Sequence, residues 1–160
     1  MIKQLYILSP GGQCTFHLDF CDVQILTPQD QATHDPQLIS GFFAAIMSFA
    51  QVTTGEADAI KHIPLNNKHF FFHQSPSYTY IIETDDMNKN AQNDDYFELL
   101  HSIEIDFLNF LQIYPDINAN GCYEIISNNG LTNKVKEKIA RFSRQLLFRK
   151  YSASSLTVTN

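Results

Sequence analysis

Between Ala59 and Thr84 the sequence holds three strand-forming runs, Ala59 to Leu65, His69 to His73 and Tyr78 to Thr84, separated only by short polar gaps at Asn66-Asn67 and Ser75-Pro76. Gaps this short close hairpins, so the three runs are expected to lie side by side and antiparallel as a meander. A meander needs partners for its two faces, and the flanking sequence supplies them. Ahead of it, Gln4 to Leu8 reads as a strand ending at the turn Ser9-Pro10-Gly11-Gly12. Beyond that turn Phe16, Leu18 and Phe20 alternate with His17, Asp19 and Cys21, the period of a strand with one buried face.

Three helices complete the pattern. The polar stretch Thr27 to Pro36 reads as a loop, and Leu38, Ile39, Phe42, Phe43, Ile46, Phe49 and Ala50 then recur at helical spacing. Asp35-Pro36 supplies a cap and first turn for this helix, and Gly55 ends it. After the polar segment Met87 to Asp94, Asp95 and Glu98 have the spacing of a capping box. They precede Phe97, Leu100, Ile103, Phe107, Leu108 and Leu111, a helical stripe stopped by Pro115. Residues 116–131 read as an irregular connection in which Cys122 to Ile126 can hold a short turn or strand. A last helix is expected from about Thr132, with Val135, Ile139, Phe142 and Leu146 on its apolar side. The expected order is β-β-α-β-β-β-α-α: an α+β fold with a five-stranded antiparallel sheet, one helix on one face and two on the other. A single domain over residues 1–150 and a flexible tail over 151–160 fit a chain of 160 residues.

Charge separates along the chain. Residues 1–133 carry four basic groups against 16 acids, whereas residues 134–160 carry seven basic groups against Glu137 alone. An acidic body argues against nucleic acid as a partner, because too few cations are present to neutralise phosphates. The basic terminal helix, through Lys134, Lys138, Arg141 and Arg144, is expected either to neutralise its own acidic body or to meet an acidic partner or an anionic lipid surface. With three cysteines without CxxC spacing and a first segment without secretory grammar, a reducing, cytoplasmic setting is the expectation, at most peripheral to a membrane. Its apolar runs fall short of the roughly 20 residues of a membrane-spanning helix.

In element order the chain resembles the longin domain, from Ile2 to about Lys150. The segment Leu38-Ile39-Ser40-Gly41-Phe42-Phe43-Ala44-Ala45-Ile46-Met47-Ser48-Phe49 looks like the first helix of longin-like proteins of archaeal type. The related roadblock domains share the central αβββ arrangement but usually begin with a helix, where this chain begins with a hairpin. The resemblance implies a scaffold without catalytic residues or cofactor, which binds a small GTPase, a vesicle-trafficking component or another longin or roadblock domain as a homo- or heterodimer.

On the first helix, Ser40, Gly41, Ala44, Ala45 and Ser48 lie opposite the apolar stripe. Small side chains let another backbone approach, so this face is the expected partner-binding surface. A glycine inside a helix costs about 1 kcal/mol, which argues that Gly41 is there for close approach. The strand Ile60 to Leu65 is a second expected contact if it forms a sheet edge. His17, Asp19 and Cys21 share one side of a strand, but no HxxxH or CxxC completes a zinc set, so no metal is expected. His69 and His73 read as a solvated or hydrogen-bonded strand edge. Neither a GxSxG elbow nor a phosphate loop is present, and no enzymatic activity is expected. The alternative reading is a profilin-like or PAS-like domain whose sheet encloses a small molecule.

Overall fold

The computed structural model describes residues 1–20, 35–56, 60–85, 92–119, 126 and 128–155. The loop expected before the first helix, most of the polar segment after Thr84, the last residues of the tail, and the candidates Cys21 and Cys122 lie outside them. The described elements are β1 (Ile2–Leu8), β2 (Cys14–Asp19), α1 (Pro36–Thr54), β3 (His62–Leu65), β4 (Lys68–Gln74), β5 (Thr79–Asp85), α2 (Asn93–Ile113), the short α3 (Pro115–Ala119) and α4 (Asn129–Ser155). The chain is α+β, with an open five-stranded antiparallel sheet in the order β2-β1-β5-β4-β3. The first and last strands are neighbours at its centre, which joins the N-terminal hairpin to the meander.

Side-chain alternation sends the strands' apolar residues both ways. Leu5, Ile7, Phe16, Leu18, Phe71, Tyr80 and Ile82 form one core with Tyr96, Leu100, Ile103 and Phe107 of α2 and Val135, Ile139 and Leu146 of α4. Tyr6, Leu8, Cys14, Phe70, Phe72 and Ile81 form a second core with Phe43 of α1. In the first core, Phe71 stacks on Tyr96 with ring centroids 4.2 Å apart. The bulge that separates Cys14 from Phe16 in the pairing with β1 lets two neighbouring apolar residues of β2 serve opposite faces.

Local boundaries follow the capping chemistry. Asp35 accepts a hydrogen bond from Gln37 N–H, Pro36 opens α1, and Gly55 ends it with φ of 77°. The capping box of α2 sits one turn earlier than the spacing of Asp95 and Glu98 implies. Gln92 is the cap and Asp95 the third helical residue, its carboxylate accepting from Gln92 N–H at 2.9 Å. The terminal helix starts at Asn129 and continues to Ser155, through the connection and into the segment expected to be a tail. Asn128 caps it, its side chain accepting from Leu131 N–H at 3.1 Å.

Candidate interaction surface

The rotation of α1 about its own axis is set by two contacts with the β1–β2 hairpin. The Gln37 side-chain amide bridges the backbone of Cys14, accepting from its N–H and donating to its carbonyl, each at 3.0 Å. One turn and more further on, Ala44 presses against Gly12, where a Cβ would come within 2.3 Å of the Ala44 Cβ. The inward side of the helix therefore consists of Ile39, Ser40, Phe43, Ala44 and Met47. Phe43 is 3% exposed and lies 4.9 Å from the Phe70 ring and 5.3 Å from the Phe72 ring. The buried Ser40 hydroxyl donates to the Pro36 carbonyl in its own helix.

This places the expected surface differently from the sequence reading. Ser40 is buried and Ala44 half-buried, because only small side chains fit where the helix meets the hairpin. Gly41, Ala45 and Ser48 remain exposed, and a Cβ on Gly41 would meet nothing within 4 Å. The large apolar residues are what the rotation turns outward: Leu38 is 72%, Phe42 55%, Phe49 74% and Val52 87% exposed. The helix is rotated by roughly a quarter turn from the orientation that would bury its bulkiest stripe. Sequence reasoning missed this strip, yet two signals were available. The helix has no charged side chain anywhere along Pro36–Thr54, and its apolar residues exceed the stripe that one sheet face can cover.

Beside the strip, α1 and the edge strand β3 enclose an open groove of about 600 Å³, lined by Leu38, Phe42, Ile46, Ile63, Leu65 and Phe70 among others. Lys68 and the buried Glu83 form an ion pair at its wall. The edge itself is blunted. Lys61 C=O accepts from Phe72 N–H, so in the register that pairs His62 with Phe71 and Pro64 with His69 the even-numbered residues of β3 point their backbone groups outward. Pro64 has no N–H to offer there, which leaves an added strand short of a donor.

The other candidates are dispersed. His17 stacks on Tyr6, its cross-strand partner, with centroids 4.8 Å apart, on the α1 face. Asp19 is exposed at the far end of β2. His69 and His73 are partly exposed and hydrogen-bonded, the second of the two expected alternatives. His69 meets His62 at 3.0 Å, and His73 meets Glu104 at 2.7 Å. Of the basic residues on α4, Lys138 is turned inward, 2.7 Å from Asp106 and donating to Ser102 C=O at 2.6 Å. Lys134 stands 3.8 Å from the same carboxylate, Arg141 pairs with Glu137, and Arg144 donates to Ala140 C=O. Burial pushes the Cys14 thiol up to about 11, with smaller opposing effects from the Ser40 side chain and the Phe16 backbone. By length and composition α1 is the one helix among the described residues apolar enough to cross a membrane, and here it lies on the sheet. No family model and no curated protein matches the chain.

Proposed function

We propose that this chain is a non-catalytic adaptor domain of the longin type, with one helix on one face of its sheet and two on the other, and that it binds another protein through α1. The reading is supported above all by the uncharged apolar strip Leu38-Phe42-Phe49, held outward by the Gln37–Cys14 and Ala44–Gly12 contacts. Burying each of these side chains in an interface is worth about 1.5–3 kcal/mol before the cost of association. Gly41 and Ala45 border the strip and leave room for a facing helix. Because α1 carries no charge, two copies can meet face to face without repulsion, so the partner is a second copy or a like domain. In the full reading the assembled adaptor engages a small GTPase or another vesicle-trafficking component.

The strip suits a protein better than a lipid surface, since interfacial membrane helices surround their apolar face with Lys and Arg. It also suits a protein better than a small molecule. Leu38, Phe42 and Leu65 are each more than half exposed, so the groove cannot enclose the 70–90% of a ligand's surface that such pockets bury.

Light scattering on the eluting protein tests the assembly. The wild type is expected to run as a dimer at high micromolar concentration and Phe42→Asp as a monomer with an unchanged circular dichroism spectrum. A wild type that stays monomeric would remove the self-association arm. Pull-down with small GTPases loaded with GDP or a GTP analogue tests the other arm, which fails if none binds in either state.

A further inference from the structure

A second site lies on the opposite face of the sheet, between β4 and α2. His73 is at the end of β4, and His101 and Glu104 stand one turn apart on α2, a spacing that sets both side chains on one helix face. Nε2 of His73 and Nδ1 of His101 approach the same carboxylate oxygen of Glu104, at 2.7 Å and 3.0 Å. The three ligand atoms all lie within 4.8 Å of one another.

We propose that His73, His101 and Glu104 bind a divalent transition-metal ion, with zinc the best chemical match. Two imidazoles and one carboxylate make a three-ligand set that leaves a fourth position open. Imidazole selects Zn²⁺, Co²⁺, Ni²⁺ or Cu²⁺ over the hard ions Mg²⁺ and Ca²⁺. Tetrahedral coordination with bonds near 2.0–2.1 Å requires ligand atoms about 3.4 Å apart. The His73–Glu104 contact at 2.7 Å must open by about 0.7 Å and the His101–Glu104 contact at 3.0 Å by about 0.4 Å, while the two histidine nitrogens stay within the 4.8 Å span of the set. The exposed His101 and the partly exposed His73 side chains are the ones that move, around a buried Glu104.

Glu104 is buried, and it follows Ile103 in the part of α2 that packs into the core. Tyr80 is the cross-strand partner of His73, with the two rings 5.9 Å apart. Its buried hydroxyl lies near Ser75 and the Glu104 carboxylate without a hydrogen bond of normal geometry among the described residues, a polar group beside the site that could turn toward a bound ion's remaining ligand.

The full-length protein, stripped with chelator, is titrated with Co²⁺ and followed by its visible absorption, then with Zn²⁺ by calorimetry. One equivalent is expected, displaced from Co²⁺ by Zn²⁺ and indifferent to excess Mg²⁺. His101→Ala, at an exposed position where folding should be untouched, is expected to weaken binding at least about tenfold. Glu104→Gln should do the same if it folds. His62→Gln, which alters the other histidine pair, should leave the affinity unchanged. A wild type that takes up neither ion, or one whose affinity is unchanged in His101→Ala, overturns the proposal, and loss in His62→Gln instead would place the ion at the other histidine pair.

Discussion

Gly12 illustrates how a single backbone position directs the surface chemistry of the whole face above it. It adopts φ of 79°, in the left-handed region, and a methyl group there would collide with Ala44 of α1. Gly12→Ala therefore incurs both backbone strain and a steric clash that only lifting the helix can relieve. A loss of about 1–3 kcal/mol is expected, read as a lower urea midpoint. Gly11→Ala is the control, because its nearest neighbour would be the Ser9 hydroxyl at 3.9 Å, and it should fall within about 0.5 kcal/mol of the wild type. Equal effects at both positions would mean that the helix does not rest on Gly12. Cys14, next to the same contact, is shielded in a related way. With its thiol pushed to about 11, only about one molecule in 10⁴ is thiolate at pH 7. Brief alkylation of the native protein followed by peptide mapping should leave Cys14 unmodified until denaturant is added, and rapid native labelling would contradict its burial.

At the level of elements, α4 is tied to α2 by a cross-helix ion pair. Both oxygens of Asp95 accept from Arg149, at 2.7 Å and 2.8 Å. Partial burial raises the Asp95 pKa, but Arg149 and the Gln92 N–H outweigh it, and the carboxyl stays below its ordinary value of 3.8. A carboxylate whose folded pKa is depressed contributes stability that is complete above the unfolded value and is lost as pH falls through the folded one. Asp95→Asn keeps an acceptor for the cap and removes the charge. It is expected to lower the urea midpoint modestly at pH 7, since Arg149 is more than half exposed and screened, and the difference is expected to start shrinking as pH falls below 3.8 and to vanish once the depressed folded pKa is passed. A difference that does not shrink at all as pH falls below 3.8 would assign the effect to something other than the ion pair. The same helices mark what was legible beforehand. Asp35-Pro36 and Gly55 announced the ends of α1, and the hairpin gaps announced the meander, because caps and turns are decided by neighbours in sequence. The cap at Gln92 was overlooked because glutamine is an uncommon N-cap, whereas Asp95 looks like one and occupies the third helical position instead.

For the molecule as a whole, the undetected features depend on which elements meet. His73 and Glu104 are 31 residues apart. Although His101-x-x-Glu104 could have been noted on an expected helix, nothing in the sequence indicated that the end of β4 would arrive beside it. The rotation of α1 was hidden for a different reason. A helix with apolar residues on most of its circumference has no unique phase, and the sheet chose the side with Ser40 and Ala44 because the hairpin turn demands close approach. Two adjacent phenylalanines turn this into a sharp test. Phe43 fills the core between Tyr6, Phe70 and Phe72, so Phe43→Ala is expected to cost about 3–5 kcal/mol in unfolding free energy. Phe42→Ala should cost under about 1 kcal/mol in the monomer, since more than half of its surface already faces solvent, while weakening association by 2 kcal/mol or so if it anchors the interface. Denaturation at low concentration and sedimentation at high concentration separate the two quantities for each variant. If the sequence-based orientation were right after all, the stability losses of Phe42→Ala and Phe43→Ala would be alike and neither would act on assembly alone.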